Sequence, residues 1–519
     1  MSSESFPNII LLFNDHQAFY RHGWDGGVQP ERPHFDRLAR EGVRFDRAYT
    51  VCPLCVPARR SVLTGLFPHN HGLTTNDESA PIRDEGALYP ELEDKEYRMF
   101  SFGKWHAGPA NCGGPPIWPP LPGGPDSARG FRVEGISYPG FGNPYTTPEY
   151  ACYLERHGLP PASFDVKHMF SEPFSPDDTR LGPGYQCLAD EFHPHATGLL
   201  ETPPETHESF FLANEACDTL QQLAAEDDER PFFLRVDFYG PHAPYFASPE
   251  YVQRYDPHEI TPYGSFCDDL AGKPSVWHRE TNEPIAQGDQ LILPSTLDWD
   301  TWAEILTYVY GHITQIDAAG GIILDELDRL GLSENTLVIW TTDHGDPVAS
   351  HGGHFGKEAY MSEEVLRIPM AMRWPGFIRS GQVTNALVSN VDVPATIMGA
   401  LGRMFHEAID GRSMLDIVGP WAEVDPIDWR QDLLCETHGH HGEQVIGRTV
   451  VTRRFKYTEY FHHDTGVAEA ELYDLDKDTY EMHNLFGQEG YGDVAKDLKI
   501  RLRAWQMRSN DRAALEMML

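Results

Sequence analysis

Four short apolar runs, at residues 9–13, 98–102, 231–238 and 337–340, constrain the fold of this chain most strongly. Bounded runs of this length are typical of strands that are covered on both faces, as in a mostly parallel sheet. Each run is followed by ionisable side chains, at Asp15 and His16, Lys104 and His106, His242, and Asp343 and His344. The carboxyl ends of parallel strands meet at one edge of the sheet, where ligands bind. The pattern therefore predicts an α/β fold with a polar site at that edge.

Helical periodicity fills the chain between these strands. From residue 302 to residue 330, one apolar face recurs at helical spacing, at Ile305, Val309, Ile313, Ile316, Ile323, Leu327 and Leu330. Gly331 supplies a C-terminal stop before the next strand. This alternation predicts helices on both faces of the sheet. Segments 108–148 and 240–300 are rich in proline and glycine, and we predict that they are long insertions at a pocket rim.

The chain changes character from about residue 426. Strand-like pieces at 445–452, 454–461 and 471–475 precede a polar helical pattern at 493–507. We predict a catalytic α/β domain over residues 1–425. We also predict a C-terminal subdomain over residues 426–519, in which a small antiparallel sheet packs with one helix.

The charge balance restricts the partners of the chain. Its 519 residues include 41 basic and 79 acidic side chains, a formal net charge of −38. Nucleic acids and anionic membranes need a surface rich in lysine and arginine, so we expect neither as a partner. No apolar stretch approaches the roughly 20 residues of a membrane span, and the N-terminus lacks the features of a signal peptide. We expect a cytoplasmic protein, or a periplasmic one if a leader has been removed.

The segment 52–65 is the most informative in the chain. Cys52 and Cys55 fit a redox pair or two ordinary buried thiols, and the histidines downstream leave a zinc site open. Pro57 fits the first position of a helix, which puts Cys55 at the helix N-terminus. Unpaired amides and the helix dipole favour negative charge at that point. Arg59, one turn on, can bind an oxygen at position 55 or a neighbouring carboxylate through forked hydrogen bonds.

The pattern Cys55-x-Pro57-x-Arg59, followed by Leu-Thr-Gly at 63–65, resembles the signature of the formylglycine-dependent sulfatases. In that family this cysteine is oxidised after translation to formylglycine. The resemblance covers nearly the whole chain. Further motifs of the family follow in the same order, at 103–106, 241–244, 342–345, 356–357, 471–475 and 484–485. It implies the fold of the alkaline phosphatase superfamily and hydrolysis of a sulfate monoester by cleavage of the O–S bond. It also implies a formylglycine-generating enzyme as a partner during maturation.

The resemblance implies one divalent metal, bound by Asp15, Asp343, His344 and the modified Cys55. Oxygen ligands suit Ca²⁺ or Mg²⁺, whereas a histidine ligand favours Mn²⁺ or Zn²⁺, and Ca²⁺ is the ion we expect. Many sulfatases carry two adjacent aspartates after the first strand, where this chain has Asp15 and His16. His344 stands where many relatives have asparagine. This pattern resembles the branch that holds choline sulfatases and phosphonate monoester hydrolases.

The remaining motif residues receive roles from the same resemblance. Lys104 and Lys357 bind sulfate oxygens, and His106 binds the hydroxyls of hydrated formylglycine and accepts a proton from one of them. His242, between two prolines that stiffen its loop, protonates the departing alcohol. The phosphonate-hydrolysing relatives replace the Lys/His pair by hydroxyl residues. The retention of Lys104 and His106 therefore favours sulfate.

Two other functions stay open at this point. One is a phosphonate monoester or phosphodiester hydrolase that uses the same nucleophile, and the other is a non-catalytic, metal-stabilised binding protein whose cysteine is never converted. The resemblance implies a small-molecule or carbohydrate sulfate ester as the substrate. Aromatic and proline-rich segments at 117–120 and 138–141 could stack on a sugar, which favours a sulfated carbohydrate. A homo-oligomer is compatible with the sequence.

Overall fold

The computed structural model describes most of the chain. The described residues are 6–19, 27–78, 87–108, 133–138, 143–169, 171–173, 186–188, 196–278, 285–287, 290–292, 297–357, 359–420, 422, 428–439, 445–512 and 514. Within them, no helix combines the length and the hydropathy that a membrane crossing requires.

A mostly parallel, eight-stranded main sheet forms the centre of the fold. Its strand order is Gln382–Thr384, Val43–Phe45, Ala371–Arg373, Thr336–Thr342, Asn8–Asn14, Phe232–Asp237, Arg98–Lys104 and Val133–Tyr138. The last five strands in that order are mutually parallel, and Ala371–Arg373 pairs antiparallel with both of its neighbours. The four apolar runs are therefore adjacent strands, as predicted. The polar residues that follow these strands meet at one edge of the main sheet.

Both faces of the main sheet are covered, because its strands alternate between two cores. In strand Asn8–Asn14, Ile10 and Leu12 pack with helices Pro33–Glu41, Glu208–Ala225 and Trp299–Arg329. Ile9, Leu11 and Phe13 pack with helices Cys55–Thr64, Leu88–Glu93 and Asp392–Ala400 on the other face. All five of these strand residues are fully buried. This burial explains why the strand is continuously apolar rather than alternating.

The long helix begins three residues before the predicted start. Its bounds are Trp299–Arg329, and the side chain of Asp298 accepts a hydrogen bond from the backbone N–H of Thr301 at 2.9 Å. An N-cap of this kind fixes where a helix begins. Gly331 follows the helix in a left-handed conformation, with φ +72°, as predicted for a C-terminal stop.

Smaller elements surround the main sheet. Further α-helices are Pro68–His71, Pro148–His157, Pro249–Val252, Glu363–Leu366 and Leu415–Val418, and Ser350–Gly353 is a helical turn interrupted by left-handed residues. Three small sheets have the strand orders Tyr245–Ala247, Ala196–Leu200, Ser163–Met169, Gln186–Leu188; Ile285–Gln287, Gln290–Ile292, Ser171–Pro173; and Arg367–Ile368, Ala48–Tyr49, Val388–Ser389.

A four-stranded antiparallel sheet with one helix follows near the C-terminus, as predicted. The strands are Asp432–Thr437, Val445–Thr452, Phe455–His462 and Val467–Asp474, and the helix is Gly492–Arg508. The sequence analysis missed the first of these strands. The division of the chain between residues 425 and 426 stays a prediction.

A buried ion pair connects this C-terminal sheet to the helical turn Pro68–His71. The Nδ1 atom of His69 lies 2.5 Å from the Glu436 carboxylate, and its Nε2 atom lies 2.9 Å from the backbone carbonyl of Ser509. Both partners are acceptors, so both ring nitrogens of His69 carry a hydrogen and the ring is a cation. Burial lowers the pKa of His69, but the charge of Glu436 outweighs it and raises that pKa to about 9.

We expect this ion pair to make stability depend on pH. The folded-state pKa of His69 lies above the ordinary value of 6.5, so its contribution is complete below pH 6.5 and is lost as pH rises through about 9. His69→Gln should lower the free energy of unfolding by about 3 kcal/mol at pH 6, and by less at pH 9.5. Denaturant unfolding of both proteins across this range measures the difference. The exposed His258→Gln serves as a control with no such trend, and a pH-independent difference for His69→Gln would contradict the assignment.

Candidate active site

The predicted nucleophile is the first residue of a fully buried helix. The nucleophile helix, Cys55–Thr64, has Leu54 as its N-cap, and Cys55 is 1% exposed. Pro57 is the third helical residue, not the first as predicted. Cys55 still lies at the helix N-terminus. The backbone N–H groups of the whole first turn lack partners within the helix, so a proline there removes no helical hydrogen bond. Cys55 therefore lies where the helix favours negative charge.

His344 directs the lone pair of one ring nitrogen toward Cys55. Its Nδ1 atom donates a hydrogen bond to the backbone carbonyl of Gly345 at 2.8 Å. The Nε2 atom lies 3.1 Å from the Cys55 sulfur. Burial lowers the pKa of His344 to about 4, so the ring is neutral. A neutral imidazole whose second nitrogen is held by a carbonyl is the usual form of a histidine metal ligand.

Two buried carboxylates face the same point. One oxygen of Asp343 accepts the backbone N–H groups of His16 and His344 at 2.9 and 2.8 Å, and the other accepts Nε of Arg59 at 2.8 Å. Burial and the charge of Asp15 raise the pKa of Asp343 to about 6. Burial also raises the pKa of Asp15, but the charges of Lys104 and Arg59 outweigh it and hold that pKa well below its usual value.

These side chains fit a single metal ion. The ligand atoms of Asp15, Cys55, Asp343 and His344 all lie within 4.8 Å of one another. Oδ1 of Asp15 is buried and accepts no hydrogen bond, although Nη2 of Arg59 lies 3.5 Å from it. A buried carboxylate oxygen of this kind needs a cation or a donor. The donor set suits a divalent cation, because it offers carboxylate oxygen and neutral imidazole.

Arg59 connects the nucleophile helix to the two strand ends. It is fully buried, and its Nη1 atom donates to the backbone carbonyl of Lys104 and to the carboxylate of Asp237, both at 3.0 Å. Asp237 in turn accepts two hydrogen bonds of 2.6 Å from Arg235. Asp237 was not among the predicted site residues. Its signal was a pair of opposite charges at positions i and i+2 of a strand that is otherwise apolar.

The predicted sulfate-binding groups surround the same centre. Lys104 is fully buried, pairs with Asp15 and lies 4.9 Å from the ring of Tyr239. The side chain of Lys357 contacts Cys55, and the charges of Cys55 and of both aspartates outweigh burial and raise the pKa of Lys357. The structure therefore places two cations beside residue 55. Both are compensated by buried carboxylates.

His106 and His242 are both neutral in this environment. Burial, and then the positive charge of Lys104, holds the pKa of each histidine well below its usual value. Nδ1 of His242 donates to the backbone carbonyl of Ala243 at 2.6 Å, which leaves the lone pair on Nε2. The bonds before Pro241 and Pro244, on either side of His242, are both cis.

His16 does not take the place of a second aspartate ligand. Its backbone is left-handed, with φ +67°, and its ring lies between the rings of His242 and His344, at 4.8 and 4.7 Å between centroids. Nε2 of His16 lies 3.0 Å from Oδ2 of Asp346. The other carboxylate oxygen of Asp346 accepts the backbone N–H groups of Val348 and Gly356, which shape the loop that leads to Lys357. The sequence analysis missed Asp346.

The other predicted features lie outside this centre. His438 contacts Glu436 and Arg448 in the C-terminal sheet. His440, His441 and the aromatic segment 117–120 lie outside the described residues, as do residues 139–141 of the second segment. A second metal-compatible group, His69 with Glu436 and Asp511, is already satisfied, because His69 is a cation and Asp511 pairs with Arg448 at 2.6 Å.

Comparison with known proteins gives matches along almost the whole chain. The family model described as "Sulfatase" matches residues 7–403, and the model "N-sulphoglucosamine sulphohydrolase, C-terminal" matches residues 350–508. The N-acetylglucosamine-6-O-sulfatase of Bacteroides thetaiotaomicron is 24% identical over 519 aligned residues, with 97% of this chain and 87% of the relative covered.

Solved structures with the same fold include enzymes of two kinds. One is BT4656 in complex with its substrate D-glucosamine-2-N,6-O-disulfate, with a TM-score of 0.69, 20% identity, and coverage of 98% of this chain and 99% of that one. Another is the phosphonate monoester hydrolase SpPMH from Silicibacter pomeroyi, with a TM-score of 0.74, 20% identity, and coverage of 97% and 96%. At this identity the similarity establishes the fold only. Which ester the protein prefers has to be inferred from the residues of the site.

We expect one glycine to be indispensable for the geometry of Lys104. Gly103 has φ +97°, and a Cβ atom there would lie 2.0 Å from the backbone oxygen of Asp237. Gly158 is also left-handed, with φ +64°, but has open space around it. Gly158→Ala should cost about 1 kcal/mol of stability through its φ alone, and Gly103→Ala at least about 3 kcal/mol through the added clash. Denaturant unfolding of the two variants provides the test, and equal losses would contradict the packing described here.

Proposed function

We propose that this chain, which belongs to the sulfatase family of sulfuric ester hydrolases, removes a sulfate group from a carbohydrate through a formylglycine made from Cys55. The observation that carries the proposal is the position of Cys55. It begins a buried helix and lies 3.1 Å from His344, beside two carboxylates and Lys357. An anionic substrate needs cations close to the nucleophile, and here buried carboxylates compensate the charge of those cations. The carbohydrate is supported by the names of the N-acetylglucosamine-6-O-sulfatase and of BT4656 with its glucosamine substrate.

The proposal includes one divalent ion, Ca²⁺, held by Asp15, Asp343, His344 and the oxygen at position 55. When bound, such an ion polarises a sulfate oxygen and favours the ionised form of a hydroxyl at residue 55. Asp343 is prepared for this role by the hydrogen bonds of two backbone N–H groups and Arg59, which fix both of its oxygens. His344 is prepared by its bond to the Gly345 carbonyl.

When hydrated, the formylglycine carries two hydroxyls on one carbon. One attacks sulfur as the alcohol departs, and removal of the proton from the other expels sulfate and restores the aldehyde. The residues around it have separate tasks in this proposal. Lys104 and Lys357 hold the sulfate oxygens and stabilise the charge that develops on them. Arg59 keeps Asp343 and Asp237 in place through Nε and Nη1, and Nη1 also bonds to the Lys104 carbonyl. Its Nη2 atom has no hydrogen-bond partner and lies 3.5 Å from Oδ1 of Asp15.

The two neutral histidines have opposite roles in proton transfer, one as an acceptor and the other as a donor. His106 can accept a proton from the hydroxyl at residue 55, because burial and the charge of Lys104 keep its ring unprotonated. His242 needs a proton before it can act as an acid. The arrival of an anionic sulfate beside it raises its pKa, so Nε2 takes up a proton with the substrate and delivers it to the departing alcohol.

A phosphonate monoester or phosphodiester hydrolase is the second candidate function. The match to SpPMH, with a TM-score of 0.74, is the observation in its favour. Against it, this chain has Lys104 and His106 at the positions where the resemblance implies hydroxyl residues in the phosphonate-hydrolysing relatives. We therefore propose sulfate as the preferred ester.

Turnover of matched esters tests this proposal. The chain is co-expressed with a formylglycine-generating enzyme, and kcat/KM is measured for an aryl sulfate and for the corresponding aryl phosphonate monoester. We expect at least about a tenfold preference for sulfate. Cys55→Ala should lower kcat/KM for the sulfate at least about 1,000-fold, because it removes the nucleophile.

The exposed Cys152→Ala is the matched control and should keep full turnover. Peptide mass spectrometry of the segment around Cys55 reports whether the thiol has become an aldehyde. A phosphonate preference would replace sulfate by phosphonate as the substrate class. Full turnover by Cys55→Ala would refute the nucleophile itself.

A further inference from the structure

Tyr239 lies in the candidate active site, and the reaction proposed above gives it no role. It follows strand Phe232–Asp237 by two residues and is 4% exposed. Its ring lies 4.9 Å from Nζ of Lys104, and its centroid lies 5.3 Å from that of the His242 ring. Tyr239 therefore packs against both the group that we propose to bind sulfate and the group that we propose to protonate the alcohol.

The backbone fixes the position of Tyr239. Its N–H group donates to Oε1 of Glu208 at 3.0 Å, and Glu208 is itself buried. The carbonyl of the next residue, Gly240, accepts the N–H of Asp15 at 3.0 Å. The ring is therefore anchored to the edge of the main sheet through its own backbone.

The face of the Tyr239 ring stabilises the buried ammonium group of Lys104. Lys104 already pairs with the carboxylate of Asp15. An aromatic face attracts a cation through its quadrupole, and the attraction is strongest where water is excluded. Burial, and then the charges of Asp15 and Cys55, raises the pKa of Tyr239 well above its usual value, so the hydroxyl is neutral. The ring thus holds the cation without adding a negative charge that would repel sulfate.

The same ring restricts the orientation of His242. The two rings are inclined at 61°, in an edge-to-face arrangement. Aromatic pairs have preferred relative orientations of this kind. The bond from Nδ1 of His242 to the carbonyl of Ala243 and the ring of His16, at 4.8 Å between centroids, supply the other contacts. The direction in which Nε2 of His242 faces the alcohol therefore depends in part on Tyr239.

We propose that Tyr239 is a positioning residue whose ring holds Lys104 for the sulfate and His242 for the departing alcohol. The inference rests on the proposed function, because the roles of Lys104 and His242 belong to it. The ring and not the hydroxyl performs this task, since the ring makes both contacts. A side chain without a ring at position 239 therefore weakens both groups at once, whereas phenylalanine preserves them.

Two substitutions separate the ring from the hydroxyl in the converted, metal-loaded enzyme. Tyr239→Phe should keep kcat/KM for 4-nitrophenyl sulfate within about threefold of the wild type, whereas Tyr239→Leu should lower it at least about tenfold. Tyr150→Leu is the matched control, because Tyr150 is equally buried but lies outside the candidate active site. It should lower stability and leave kcat/KM of the folded enzyme unchanged.

The leaving group provides a readout that a merely structural role would not change. 4-Nitrophenolate departs readily without a proton, whereas phenolate depends more on the acid. Tyr239→Leu should therefore lower kcat/KM for phenyl sulfate at least about fivefold more than kcat/KM for 4-nitrophenyl sulfate. Equal losses on the two esters would overturn the proposed role toward His242.

A double-mutant cycle isolates the contact with Lys104. No ammonium group remains in Lys104→Met, so adding Tyr239→Leu to that variant should lower kcat/KM for 4-nitrophenyl sulfate by less than about threefold. The same substitution in the wild type should cost at least about tenfold. Equal costs in the two backgrounds would overturn the proposed role toward Lys104.

A trifluorinated phenylalanine at position 239 tests the proposal even if Tyr239→Leu does not fold. The fluorine atoms remove negative charge from the ring face and change its shape little, so the attraction for Lys104 weakens while the packing stays. We expect kcat/KM for 4-nitrophenyl sulfate to fall about fivefold below that of Tyr239→Phe. Equal values for the two enzymes would overturn the proposal.

The outcomes distinguish this inference from the proposed function. A wild-type enzyme that cleaves both aryl sulfates no better than Tyr239→Leu overturns the inference and leaves the sulfatase activity standing. A Tyr239→Phe variant as impaired as Tyr239→Leu also overturns it, because the hydroxyl would then be the acting group. A converted wild-type enzyme that cleaves neither ester would overturn the proposed function and the inference together.

Discussion

The buried charges around Arg59 are the interaction on which the site depends. Arg59, Lys104 and Lys357 share a water-excluded space with Asp15, Asp237 and Asp343, and removal of any one of them leaves an uncompensated buried charge. Arg59 fixes the relative positions of these groups, because it binds two carboxylates and a backbone carbonyl at the same time. This network keeps the predicted metal ligands in place around residue 55.

The architecture explains how so many charges can be buried together. Parallel strands deliver Asp15, Lys104, Asp237 and Asp343 to one edge of the main sheet in register, where Phe13 pairs with Asp237 and Asn14 with Thr342. The nucleophile helix then adds Cys55 and Arg59 from one face of the sheet.

Much of this arrangement could be predicted from local patterns. The apolar runs identified the central strands because both faces of each strand are buried, and the motifs identified the residues that meet at the sheet edge. The first strand of the C-terminal sheet and the position of Pro57 were not accessible in this way, because pairing partners and the first helical residue depend on tertiary contacts. Asp237 and Asp346 belong to none of the recognised motifs, because they hold Arg59 and a loop backbone in place, and these contacts depend on the tertiary structure.

The central claim is that Asp15, Asp343 and His344 hold one divalent ion at residue 55. Elemental analysis of the purified protein by plasma mass spectrometry tests it most directly, with His344→Ala as the variant and His69→Gln as the control from the other metal-compatible group. The account predicts about one divalent ion per chain in the wild type and in His69→Gln, and a large loss in His344→Ala. Full retention of the ion by His344→Ala, or its loss from His69→Gln alone, would contradict it.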